Sequence, residues 1–218
     1  MCIRDSFSAG PKWLLGANTA VRGYGLYEAI GLVQRLKFPV IEIHPMGRPE
    51  PTPEVFPGFR FDKLAEAERK KLRNVLRWFR RVTAHLPYIG LNWLSRDQGE
   101  REKAVRTIDV ALDGAAYCGV NLAVLHPQPL TAEPWKQREG EYVAAVRRWG
   151  DRGEKLGVGI AMETGFPQSV ADCVGLVNAV NHRNVGVTID VGHQGRFTDL
   201  STRIQPEDRA RPDSITTW

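Results

Sequence analysis

The feature that most constrains this chain is a recurrence. Short apolar, β-branched runs end, one after another, in a group that can ligate a metal or move a proton. Pro39-Val-Ile-Glu-Ile-His44 ends in a histidine, Val82-Thr-Ala-His85 in a second and Asn121-Leu-Ala-Val-Leu-His126 in a third. Val158-Gly-Ile-Ala-Met-Glu163 ends in a glutamate. Val185-Gly-Val-Thr-Ile-Asp190 ends in an aspartate, followed by Val-Gly-His193. Runs of this kind are expected of strands buried on both faces of a parallel sheet. An earlier run, Trp13-Leu-Leu-Gly-Ala-Asn18, reads as a first strand.

Apolar residues at helical spacing separate these runs. They are Leu26, Ala29, Ile30, Val33 and Leu36; then Leu64, Leu72, Val75, Leu76 and Phe79; then Ala104, Ile108, Ala111, Leu112 and Ala115. Tyr142, Ala145, Val146, Trp149 and Leu156 form a fourth set, and Val170, Cys173, Val174 and Val177 a fifth. Strand and helix in alternation predict βα repeats around a parallel sheet. A doubly wound open sheet gathers its ligand at one switch point. A barrel instead rings its site with groups from many strand ends. The ring of His44, His85, His126, Glu163 and Asp190 predicts the barrel, and places His182, at a helix-to-strand turn, on the opposite face. His44 carries the weakest signal of these, because Pro45 and the proline-rich loop after it could carry it into solvent. Glu42, on the same strand, either points into the barrel or is simply paired.

Composition narrows the classes. The formal charge of +5 is mild, and clusters such as Arg69-Lys70-Lys71 fall in predicted helices, where a solvated face accounts for them. Three widely spaced cysteines, with no Cys-x-x-Cys, argue against a disulfide framework or a thiolate zinc site and for a reducing cytoplasm. No apolar run approaches the ~20 residues of a membrane span. Met1-Cys-Ile-Arg-Asp-Ser6 fits no pattern that follows and reads as a non-native leader (residues 1–6), leaving 7–218 as a single domain.

His85-Leu-Pro-Tyr88 with Asn92, Val124-Leu-His-Pro127, Ala161-Met-Glu-Thr164 and Val187-Thr-Ile-Asp-Val-Gly-His193 together resemble the xylose isomerase-like barrel superfamily, over about Trp13 to Gly195. That superfamily holds sugar isomerases and epimerases together with endonuclease IV. The resemblance implies a TIM (β/α)8-type barrel, here incomplete. About six of eight βα units are visible, against the ~250 residues of a full barrel. Sequence rich in Arg, Asp and Pro stands where strands seven and eight would follow, so the chain is read as truncated in the loop or helix after strand six, with the activity of the fragment on its own left open.

The resemblance also implies site roles. Glu163 and Asp190 would bind a divalent metal (Mn, Mg, Co or Zn), with His126 beside them. Glu163 would be the catalytic proton carrier, His85 and His193 would hold substrate, and Trp93 would either wall the sugar or simply pack. The implied activity is isomerisation or epimerisation of a sugar or sugar phosphate through an enediolate. The implied partner is a small sugar, with no membrane and with homo-oligomerisation open. Endonuclease IV supplies the alternative, a metal-dependent abasic-site phosphodiesterase acting on nucleic acid. In that protein the histidines matching His85, His126 and His193 are zinc ligands. A catalytically inactive binding barrel is the third reading.

Overall fold

A computed structural model describes residues 15–51, 56–127, 135–164 and 170–190. The expected leader, Trp13 and His193 lie outside them. In chain order the elements are β1 (Gly16–Asn18), α1 (Leu26–Arg35), β2 (Val40–Ile43), α2 (Glu66–Leu76), β3 (Arg81–His85), α3 (Gln98–Tyr117), β4 (Leu122–Leu125), α4 (Glu139–Leu156), β5 (Gly159–Glu163), α5 (Val170–Val180) and β6 (Val185–Thr188). Every pairing is parallel, and the strands lie in sequential order from β1 to β6. A doubly wound sheet would reverse its order at a switch point. The monotonic order is that of a TIM-type barrel wall, with six of its strands and five of the helices that follow them among the described residues.

Alternation along the strands sorts the side chains. Ile41, Ile43, Val82, Ala84, Ala123, Leu125, Ile160 and Met162 point outward and are buried against helix residues such as Ile30, Leu72, Leu76, Ile108, Leu112, Val146 and Trp149. Each Val, Leu, Ile or Met side chain among them contributes roughly 1.5–3 kcal/mol by leaving water, and each alanine less. The intervening residues, Glu42, Thr83, His85, Val124, Ala161 and Glu163, therefore face the interior of the barrel.

Local signals set the helix ends. The Asp97 carboxylate accepts from the Glu100 N–H at 2.7 Å and caps α3. Gly157, at φ +73°, closes α4 in the left-handed conformation that favours glycine. Asp109 on α3 accepts from Arg148 and from the Trp149 indole N–H on α4, tying the two helices side by side.

Some apolar positions depart from the expected faces. Leu36 lies beyond α1 and is 60% exposed, and Val174 is 40% exposed, because α5 buries Cys173, Leu176 and Val180 instead. Leu64 and Phe79 flank α2 rather than belonging to it. Trp93 belongs to the packing. It is 2% exposed and meets Tyr142 and Trp149 edge-on, with ring centroids 5.3 and 5.2 Å away.

Candidate metal centre

Parallel strands deliver their carboxyl ends to one rim, and there the register decides which side chains meet. Leu125 pairs with Met162, so His126 and Glu163 follow at one level, whereas His85 pairs with Val124, one inward step below. The result is a tight triangle. Glu163 Oε2 lies 2.5 Å from His126 Nε2 and 3.2 Å from His85 Nε2, and the two imidazole nitrogens are 3.1 Å apart. His126 and Glu163 are each 7% exposed.

The hydrogen bonds of the histidines show what such a triangle can do. His85 Nδ1–H donates to the Leu86 carbonyl at 3.0 Å, which fixes the ring and, in the neutral imidazole, turns the Nε2 lone pair toward the carboxylate. An imidazole lone pair and a carboxylate oxygen directed at one point repel unless a proton or a cation lies between them. With His126 they form a set of three ligand atoms, all within 4.8 Å of one another, as a divalent ion requires. Tyr88, from the loop after β3, stacks on His126 with centroids 4.0 Å apart and 9° between the planes, and shields one side of the set.

The electrostatics follow from the same contacts. Burial alone would raise the Glu163 carboxyl, but hydrogen bonds from His126 and His85 and their charge hold it well below the usual carboxylate range. Burial opposes charge on His85, yet the Glu163 hydrogen bond and the negative charges of Glu163 and Glu42 lift its pKa above the ordinary histidine value. Glu42 is raised, chiefly by burial and further by Glu163 and Asp190, with His85 and a Thr83 hydrogen bond opposing.

Of the residues singled out in the sequence, His85, His126 and Glu163 come together. Asp190 lies two residues past the end of β6, its N–H donating to the Thr164 hydroxyl at 3.0 Å, but it stands outside the triangle. His193 lies beyond the described residues. His182 is at the opposite end of the sheet, where its Nε2 meets Asp151 at 3.1 Å.

Two residues matter more in the structure than their sequence signals suggest. Tyr88 is visible in the sequence only as part of a motif. His44 proves buried, stacked on His85 with centroids 5.6 Å apart and 14° between the planes. The only sequence signal it shares with the others is its place at a strand end.

Comparisons with known proteins agree with this architecture. The family model described as xylose isomerase-like TIM barrel matches residues 30–214. Solved structures sharing the fold include D-psicose 3-epimerase from Clostridium cellulolyticum with D-tagatose, at 20% identity and TM-score 0.66, covering 84% of this chain and 65% of that one. A protein from Thermus thermophilus soaked with zinc chloride matches at 23% identity and TM-score 0.57, over 80% of this chain and 67% of the other. The IOLI protein with a bound zinc atom matches at 20% identity and TM-score 0.60, over 82% and 63%. The chain thus spans about two thirds of the length of these relatives. Among curated proteins, none matches.

Proposed function

The chain belongs to the xylose isomerase-like TIM barrel family, and from that premise we propose that its rim of strand ends is the metal-dependent active site of an isomerase or epimerase acting on a sugar or sugar phosphate. The observation that carries the reading is the convergence of His85 Nε2, His126 Nε2 and Glu163 Oε2 on one point. Two imidazoles and a carboxylate suit zinc, manganese or cobalt better than magnesium, which prefers oxygen ligands alone. We assign His85, which the sequence suggested as a substrate-holding residue, to the donor set beside His126 and Glu163, with Asp190 contributing from the next strand. Residues 7–218 are read as one barrel domain. A reducing, cytoplasmic setting is part of the same proposal, supported by the free, buried Cys118 and Cys173.

When bound there, a divalent cation supplies positive charge that polarises a carbonyl and its neighbouring hydroxyl. The chain's own groups do the rest. Glu163, held ionised by two imidazoles, takes the carbon-bound proton next to the carbonyl and leaves the substrate as an enediolate. Return of the proton to the neighbouring carbon isomerises, and return to the same carbon from the other face epimerises. Tyr88 and the walls at His44 and Glu42 exclude water from the reacting carbon, and His193 is assigned to a substrate hydroxyl. The epimerase neighbours support the substrate class at the level of fold.

A second reading has one observation in its favour. Both His85 and His126 reach Glu163, and the endonuclease IV resemblance assigns zinc to these two histidines. The test is therefore double. The chain, supplied with Mn²⁺ or Zn²⁺, is incubated with a ketose panel in deuterated water and, separately, with an abasic duplex. Deuterium entering the carbon next to the ketose carbonyl, and lost in Glu163→Gln, supports the isomerase. Strand cleavage that collapses in His126→Ala, with no exchange on any ketose, supports the nuclease.

A further inference from the structure

The histidine at the end of β2 is built into the wall of this site with both ring nitrogens unpaired among the described residues. Strand alternation sends Ile41 and Ile43 to the helices and turns His44 toward the rim, where it is 6% exposed. Its ring is held on two sides, stacked on His85 and facing Phe56 at 6.2 Å. Its backbone is held as well. The His44 carbonyl accepts from the Phe59 N–H at 3.2 Å, and the preceding Gly58 packs so closely that a Cβ there would meet the carbonyls of Met46 and His44. Both ring nitrogens are nevertheless without a hydrogen-bond partner among the described residues. The adjacent His85 uses both of its nitrogens.

A rigid, desolvated imidazole with an idle donor and an idle acceptor weakens the fold, and a phenylalanine would fill the same space without that cost. Such a cost is characteristic of a residue kept for a ligand.

We propose that His44 is a substrate-binding residue of the same site, whose ring nitrogens hydrogen-bond a hydroxyl of a neutral, polyhydroxylated substrate at the β2 wall of the rim. The proposal rests on the sugar-directed reading above. Its ligand class follows from the surroundings. The groups against the ring are another imidazole and a phenyl ring, which match a hydroxyl-bearing carbon chain. A cation does stand close by, since Arg22 lies over the Phe56 ring at 5.7 Å, so phosphate is the competing outcome of the test.

The test uses the full chain with its histidine rings labelled with ¹⁵N and loaded with Zn²⁺. D-fructose, D-tagatose and inorganic phosphate are titrated in turn into the wild type, His44→Phe and His44→Gln. A ketose should shift the His44 ring resonances. His44→Phe should weaken ketose binding about tenfold, the worth of one hydrogen bond. His44→Gln should recover part of that loss. Zn²⁺ affinity should be unchanged in both variants, and the melting temperature of metal-free His44→Phe should match or exceed the wild type. Wild-type ketose affinity in His44→Phe, or a His44 response to phosphate alone, overturns the proposal and leaves the sugar reading standing. A wild type that binds Zn²⁺ but neither ketose sinks both.

Discussion

His126 Nε2 lies 2.5 Å from Glu163 Oε2 across the ends of β4 and β5. Neighbouring parallel strands in register make this contact, and the stagger of β3 adds His85 Nε2 at 3.2 Å from the same oxygen. These three atoms should act as one unit toward a metal. Loss of any one of them, in His85→Ala, His126→Ala or Glu163→Gln, should weaken Zn²⁺ or Mn²⁺ binding by on the order of 100-fold or more, since even losing a group that only orients a ligand costs about 10–100-fold. Isothermal titration on the three variants measures this, and His182→Ala, at the opposite end of the sheet, is the control expected to bind as wild type.

The same groups set how stability varies with pH in the metal-free protein. Glu163 is lowered from 4.5, so its contribution is present above about pH 4.5 and is lost as the pH falls through its folded pKa. His44, lowered by burial and then by His85 from 6.5 to about 4, is neutral when folded, and its protonation in the unfolded chain removes stability between pH 6.5 and about 4. His85 is raised, so its contribution is full below 6.5 and is lost as the pH rises through its folded pKa. Glu42, also raised, works against folding as the pH rises above 4.5. Melting temperature against pH in EDTA should therefore peak near pH 6.5. His44→Phe should lessen the acid limb, by a swing on the order of 3 kcal/mol, and His85→Gln should flatten the alkaline one.

Much of this is legible in the sequence. Each run of apolar residues closing on His85, His126 or Glu163 marks both a strand and the end that reaches the candidate site, because in a parallel sheet all such ends share one rim. Which lone pairs converge is not legible, since it depends on the stagger that sets His85 level with Val124 rather than with His126. His44 stands out less for a similar reason. Its burial comes from the loop that returns through Gly58 and Phe59, and that loop follows a proline-rich stretch suggesting exposure. Trp93 can be placed only once α4 supplies Tyr142 and Trp149 to pack it.

The loop behind His44 gives a backbone prediction. A methyl group on Gly58 would press on the carbonyls of Met46 and His44. Backbone atoms cannot swing aside as a side chain can, so Gly58→Ala should destabilise the protein by about 1–3 kcal/mol. Urea titration measures the loss. The His44 ring resonances should shift as well, whereas Gly140→Ala, in α4 with open space around the added carbon, should cost no stability and leave those resonances as in the wild type.

Burial pushes the thiols of Cys118 and Cys173 up to about 12, with Arg73 pulling Cys118 down slightly and Glu163 and Asp172 raising Cys173 further. Both should resist iodoacetamide in the native protein at pH 8 and react once urea unfolds it. Peptide mapping by mass spectrometry, in a Cys2→Ser background, reads the two sites separately.

The most direct test of the metal centre is crystallographic. Crystals soaked in Zn²⁺ and measured at the zinc absorption edge should show an anomalous peak bounded by His85 Nε2, His126 Nε2 and Glu163 Oε2, with ligand distances of ~2.0–2.2 Å. A soaked crystal with the triangle still closed by its own hydrogen bonds and no peak among these atoms would contradict the account.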